Sequence, residues 1–114
     1  MNIEAYLNTE VEVIIDRPLG KPHPRHKDMI YPVNYGYLEN TVAGDGHELD
    51  AYVLGPKEAV ESFKGIVIAI VYREDDVEEK LVVAKDHAYS EKEILDAIWF
   101  TEQYFKSSIK MAER

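Results

Sequence analysis

The sequence predicts an α+β domain, a small antiparallel barrel or sheet with one C-terminal helix packed on it. Short β-branched segments punctuated by glycine and proline run through residues 11–84. One of them, 65–72, is apolar throughout, as a central strand is. The pattern then changes: Ser90-Glu91-Lys92-Glu93 is a capping box, and Ile94, Ile98, Phe105 and Ile109 fall on one helical face. The length, 114 residues, predicts one domain over 1–114. A chain of that size buries roughly two-thirds of its unfolded surface, enough for one modest core.

Taken in order, Val11-Glu12-Val13-Ile14-Ile15 alternates well enough for a strand. Pro18, Gly20, Pro22 and Pro24 then make 17–28 a loop. Residues 31–37 are aromatic and extended, and Gly44-Asp45-Gly46 marks a turn. Residues 49–54 read as a strand stopped by Gly55-Pro56. Residues 57–64 read as a short helix, with Pro56 at its start and Gly65 past its end. The apolar strand 65–72 runs into an acidic hairpin loop and returns through Lys80-Leu81-Val82-Val83-Ala84.

The formal net charge is −9, which sets the chain against nucleic acid unless its basic groups cluster. They partly do: Lys21, His23, Arg25, His26 and Lys27 lie close together, and Glu74, Asp75, Asp76, Glu78 and Glu79 form an acidic block. Such a pair of patches suits an anionic substrate held with a metal cation, or is two solvated loops. There is no cysteine, so disulfides and thiolate metal sites are excluded. The N-terminus lacks a signal-peptide pattern and no apolar run is long enough to span a bilayer, so the expectation is a cytoplasmic protein with no membrane partner.

The chemistry concentrates in Tyr31-Pro32-Val33-Asn34-Tyr35-Gly36-Tyr37 and, eight residues on, Asp45-Gly46-His47-Glu48-Leu49-Asp50. Two carboxylates and an imidazole gather around a glycine turn. In an extended segment Asp45 and His47 point one way and Asp50 the other, so they converge only if the chain bends at Gly46. An oxygen-rich set of this kind suits Mg²⁺ or Mn²⁺, and the added nitrogen ligand tilts it slightly towards Mn²⁺, Co²⁺ or Zn²⁺. A polar turn capped by Asp45 explains the same residues.

These two segments, with the strand Ala51-Tyr52-Val53-Leu54-Gly55 that follows, resemble the signature of family I soluble inorganic pyrophosphatases, which is Tyr-Pro-x-Asn-Tyr-Gly followed by Asp-x-Asp-Pro-x-Asp opening a strand. The resemblance continues more weakly through 75–84 and again at Tyr104-Phe105-Lys106, covering about 75 residues in all. It implies a small OB-like five-stranded antiparallel β-barrel with a C-terminal α-helix packed on it. It also implies metal-dependent hydrolysis of pyrophosphate to two phosphates, with Mg²⁺ as cofactor and Mn²⁺ as a substitute. Asp45 and Asp50 would ligate metal, joined by Asp75 or Asp76 and by Glu78. Lys80 would bind phosphate, Tyr35 would hydrogen-bond the nucleophile region or a phosphate, and Tyr31 would sit nearby. Lys106, with Tyr104 or Phe105, would contact the distal phosphate. Lysine and arginine would neutralise the leaving phosphate.

The chain departs from the family in three places: before the Tyr-Pro segment, at His47, and, more mildly, at Glu78, where the family has an aspartate. The chain is too short for the extra β-hairpin that precedes the Tyr-Pro segment. Two alignments therefore compete: Asp16-Arg17 matches the family's Asp-Arg, or Asp16 ends the first strand and Arg25 takes the place of a phosphate-binding lysine. The second is preferred because it leaves a single deletion; either way the resemblance implies that a cation among Arg17, Lys21, Arg25 and Lys27 faces the phosphates. At His47 the family has an aspartate that helps bind and deprotonate the attacking water. Histidine can serve as that base but brings no negative charge, which implies weaker metal binding. Two other readings stand beside pyrophosphate hydrolysis: a phosphohydrolase for another small phosphate ester or nucleotide, and a module of the same fold that binds phosphate ligands without turnover. Bacterial family members commonly form hexamers, and Trp99, Phe100, Tyr104 and Phe105 give the helix a wide apolar stripe, so a homo-oligomer is expected.

Overall fold

A computed structural model describes residues 3–42, 46–74 and 78–113. After a single 3-10 turn at Ile3–Tyr6, the chain forms β1 (Glu10–Arg17), β2 (Asn34–Leu38), β3 (Leu49–Val53), β4 (Ser62–Arg73), β5 (Glu79–Ala84), α1 (Glu91–Glu102) and β6 (Ser107–Met111). The sheet order is β1-β2-β3-β5-β4-β6, and β1 also pairs with β4, so the first five strands close on themselves. This is the expected five-stranded barrel with one helix. Its pairs are antiparallel except β3 with β5, which run parallel because β5 returns from β4 into the space beside β3.

Strand β4 makes the closure possible by its length. Its first residues, Ser62 to Ile66, pair with β1, its last, Ala69 to Arg73, pair with β6, and Ile66 to Tyr72 pair with β5. A bulge between Val67 and Ala69 interrupts the alternation. Ile68 and Ala69 consequently both join the cluster under α1, while Val67 and Ile70 stay inside the barrel. The barrel interior is filled from all five strands, by Val13, Leu38, Leu49, Ala51, Val53, Val67, Ile70, Leu81 and Val83. A second cluster, with Tyr31, Tyr35, Tyr52, Val71, Val82, Ile94 and Ile98, lies between the barrel wall and α1.

That alternation decides where the polar residues go. On β3, Leu49, Ala51 and Val53 face inward, so Asp50 and Tyr52 face out. The registers Tyr35↔Tyr52, Tyr37↔Asp50 and Asp50↔Lys80 then line up Tyr35, Asp50 and Lys80 on the outer wall. Gly36 is required here. A Cβ at this position would lie 1.8 Å from the Ile14 carbonyl oxygen, so only glycine lets β1 approach β2.

Two expected elements differ. Residues 57–61 form no helix, and 62–64 belong to β4. The buried Asn34 side chain donates to the Glu58 carbonyl (3.0 Å) and accepts from the Val60 N–H (3.3 Å), holding that segment as a loop. The same Asn34 oxygen accepts from the Leu19 N–H (3.0 Å), so one amide ties two loops to the barrel. The terminal helix is also shorter than its stripe suggests. The Ser90–Glu93 capping box is present and Ile94 and Ile98 are fully buried, but the helix ends at Glu102. Phe105 lies in the turn that follows, and Ile109 sits in β6, which completes the hydrogen bonding along the second half of β4. No helix among the described residues is long and apolar enough to cross a membrane.

Candidate active site

Lys80 anchors the candidate site. Only 4% exposed, it stands on β5 with its Nζ donating to the Tyr35 hydroxyl at 2.7 Å and to Asp50 Oδ2 at 2.9 Å, and it lies 3.3 Å from Glu78 Oε2. The Tyr35 hydroxyl in turn donates to Asp50 Oδ2 at 2.9 Å, closing a triangle of three strands' side chains. Burial, then the negative charge of Asp50, holds the Tyr35 phenol well above its ordinary range, so Tyr35 is a fixed O–H donor at any working pH.

Arg17 borders this triangle. A bulge in β1 between Ile15 and Arg17 re-aims the strand end, setting Arg17 opposite Tyr35. Its NH1 donates to the Tyr31 hydroxyl at 2.8 Å, and its guanidinium lies 5.7 Å from the Tyr35 ring centroid. Asp16 belongs to the same edge. Burial and the charge of Asp50 raise its pKa, with Arg17 opposing. The Asp16 carboxylate on β1 thus lies within reach of the charge of Asp50 on β3.

Behind Lys80 lies a second polar layer. Arg73, at the end of β4, donates through Nε to Glu102 Oε1 (3.1 Å) and through NH2 to Glu102 Oε2 (2.7 Å). Its remaining NH1 donates to Glu78 Oε2 at 2.6 Å, and the Phe105 ring lies 3.8 Å from the guanidinium carbon. Glu102 is fully buried and also accepts from Tyr52 (2.5 Å) and Ser107. Burial pushes its carboxyl up, but the bonds from Arg73, Ser107 and Tyr52 outweigh that and hold it below the usual carboxylate range.

Of the residues expected from sequence, Tyr35, Asp50, Lys80 and Glu78 come together, with Tyr31 one bond further out through Arg17. Asp45, Asp75 and Asp76 lie outside the described residues. His47 is exposed in the segment entering β3. Arg25 is exposed on the 22–30 loop, where its N–H donates to His23 Nδ1, so Arg17 rather than Arg25 is the arginine at the triangle. Tyr104 is 67% exposed and Lys106 is exposed too; both follow the end of α1, near the Arg73 layer. Arg73, Glu102 and Tyr52 were not singled out by sequence. A carboxylate in the last turn of a helix opposes the helix dipole, and that is the one local hint that Glu102 has a buried cation for a partner.

The inorganic pyrophosphatase family profile matches residues 3–110, and the chain belongs to that family. Inorganic pyrophosphatase 2 of Pseudomonas syringae pv. tomato is 40% identical over 45 residues, covering 40% of this chain and 22% of that protein. The inorganic pyrophosphatase of Xylella fastidiosa is 43% identical over 44 residues, covering 39% and 21%. The chain is thus matched to about a fifth of the length of these curated relatives. The fold is that of the inorganic pyrophosphatases of Ehrlichia chaffeensis (TM-score 0.72, 18% identity, 93% of this chain and 88% of that one) and Coxiella burnetii (TM-score 0.65, 24% identity, 94% and 87%).

Proposed function

We propose that this chain hydrolyses inorganic pyrophosphate to two phosphates with the help of a divalent cation, Mg²⁺ or in its place Mn²⁺. The observation that carries the reading is the Lys80–Tyr35–Asp50 triangle beside Arg17, built on the outer barrel wall of a chain of this family. It presents cations and a neutral O–H donor for phosphate next to carboxylates for a metal.

The donor chemistry fits a hard cation. Asp50 uses only Oδ2 in its bonds to Tyr35 and Lys80, and Asp16 is near enough for the charge on Asp50 to raise it. Oxygen donors that repel one another are what a divalent ion neutralises. Among the described residues no group of three or more such ligands converges, so Asp50 and Asp16 would need Asp45 and one of Asp75 or Asp76 to complete a shell. Glu78 is the weakest candidate ligand, because Arg73 and Lys80 already neutralise it.

When bound, the cation would supply Lewis-acid polarisation of phosphoryl oxygens and a more acidic water. The chain's own residues do the rest. Lys80 holds Asp50 and Tyr35 at fixed distance and offers its ammonium to a phosphate that displaces Glu78, its most distant contact. Arg17 offers a second cation, steadied by the Tyr31 hydroxyl, for charge that develops on the leaving phosphate. Tyr35 donates a hydrogen bond and does not titrate. His47 is the proposed base, with Tyr104 and Lys106 at the far end of the substrate. The reading carries with it the cytoplasmic location expected from sequence. It also includes a homo-oligomer, since Leu95 and Trp99 on the helix and Tyr104 just past its end leave apolar surface exposed.

The test is colorimetric phosphate release over pyrophosphate, polyphosphate and nucleotides, each with Mg²⁺ and with Mn²⁺. Pyrophosphate should be the fastest substrate. Release only from a nucleotide or other ester would transfer the site to a different phosphohydrolase, and release from none would leave a phosphate-binding module.

A further inference from the structure

We propose that Arg73 and Glu102 form a positioning pair that holds Glu78 away from Lys80, and so keep Lys80 available to phosphate. The inference rests on the reading of Lys80 as a phosphate-binding group.

Lys80 Nζ has three protons and three oxygen neighbours: the Tyr35 hydroxyl at 2.7 Å, Asp50 Oδ2 at 2.9 Å and Glu78 Oε2 at 3.3 Å. A phosphate oxygen must take one of those places. Tyr35 and Asp50 are bonded to each other as well as to Lys80, so Glu78 is the neighbour that yields. The same Glu78 oxygen lies 2.6 Å from Arg73 NH1, and the two cations therefore compete for one atom. Arg73 makes the shorter contact.

Arg73 wins because it cannot move. Its guanidinium is gripped along one edge by two bonds to Glu102, stacked on Phe105 and almost wholly buried. A planar fork engaged this way loses little more freedom by adding a third partner. Glu102 is itself fixed by Tyr52 on β3 and Ser107 on β6. The grip is thus built from four separate elements, α1, β3, β4 and β6, and it reaches the site through the contact of Arg73 NH1 with Glu78. Without Arg73, Glu78 would settle on Lys80 as an ordinary short ion pair and exclude phosphate.

Affinity for inorganic phosphate, measured by calorimetry without metal, separates the possibilities. The double variant Arg73→Met, Glu102→Gln removes the grip while avoiding an unpaired buried charge; circular dichroism confirms its fold. It should bind phosphate about tenfold more weakly, a loss of about 1.4 kcal/mol. Adding Glu78→Gln should restore affinity to within about threefold of the unaltered chain. Arg73→Lys retains the charge but cannot bridge both carboxylates, and should weaken binding by about threefold even where the double variant folds poorly. Unchanged affinity in the folded double variant and in Arg73→Lys, or no rescue by Glu78→Gln, would overturn the proposal. Lys80→Met distinguishes the underlying reading: if it leaves phosphate affinity unchanged, Lys80 is not a phosphate group and the functional reading fails with it.

Discussion

Replacing Glu102 by glutamine tests the buried layer through stability. The carboxylate accepts two bonds from Arg73 and one each from Tyr52 and Ser107, all at a site with no solvent exposure. Glutamine keeps the shape but offers one acceptor oxygen and turns an NH₂ toward groups that donate. A bond to a charged partner is worth about 1.5–3 kcal/mol, and breaking a buried pair outright costs about 3–5 kcal/mol. Arg73 retains Glu78 as a counter-ion, which places the loss at the lower end, about 2–3 kcal/mol. At about 4 °C per kcal/mol for a domain of this size, Tm should fall by about 8–12 °C. Thermal unfolding followed by far-ultraviolet circular dichroism at neutral pH measures it. The pH dependence has a definite sign. The Glu102 carboxyl is held below its unfolded value, so its stabilisation is present above about pH 4.3 and disappears as pH falls through the lower folded value. The gap between the two proteins should therefore close in acid and stay constant from about pH 5 upward. A Tm within about 2 °C of the unaltered protein at neutral pH would refute the account of this layer.

Gly36→Ala should prevent a stable barrel, because the added carbon would lie 1.8 Å from the Ile14 carbonyl oxygen and backbone on both sides would have to move; a urea midpoint close to that of the parent would contradict this. His47→Asp should tighten Mg²⁺ binding and raise pyrophosphate hydrolysis about tenfold, about 1.4 kcal/mol in the barrier, while His47→Ala should lower it; equal rates and metal dependence in both variants would remove His47 from the chemistry. Light scattering at micromolar concentration should give a multiple of the 13.1 kDa chain mass, and a monomer mass would end the homo-oligomer reading.

What the sequence made legible follows from how local each signal is. The β4–β5 hairpin and the capping box were readable because the residues that form them are neighbours in the chain. The segment 57–61 has helix-like flanks, but Asn34, far upstream, overrides them with two hydrogen bonds. Strand β6 was hidden because Ile109 also fits the helical stripe of Ile94 and Ile98, and only the open second half of β4 decides for a strand. In the site, Tyr35, Asp50 and Lys80 converge, since strand alternation fixes which face each takes. That Arg17 borders the triangle follows from the β1 bulge, which nothing in the local sequence announces. Arg73 and Glu102, 29 residues apart, each look like an ordinary surface charge until the fold buries both.

The central claim, that the wall bearing Lys80, Tyr35 and Asp50 hydrolyses pyrophosphate with a divalent cation, is tested most directly by following pyrophosphate by phosphorus NMR. The unaltered chain and Asp50→Asn are compared with Mg²⁺ present and after chelation. The account predicts steady conversion of the pyrophosphate resonance to orthophosphate by the unaltered chain with Mg²⁺, and a rate at least about a hundredfold lower in Asp50→Asn and after chelation, about 2.7 kcal/mol or more in the barrier. Conversion at the same rate in Asp50→Asn, or no conversion by the unaltered chain with Mg²⁺ or Mn²⁺, would contradict it.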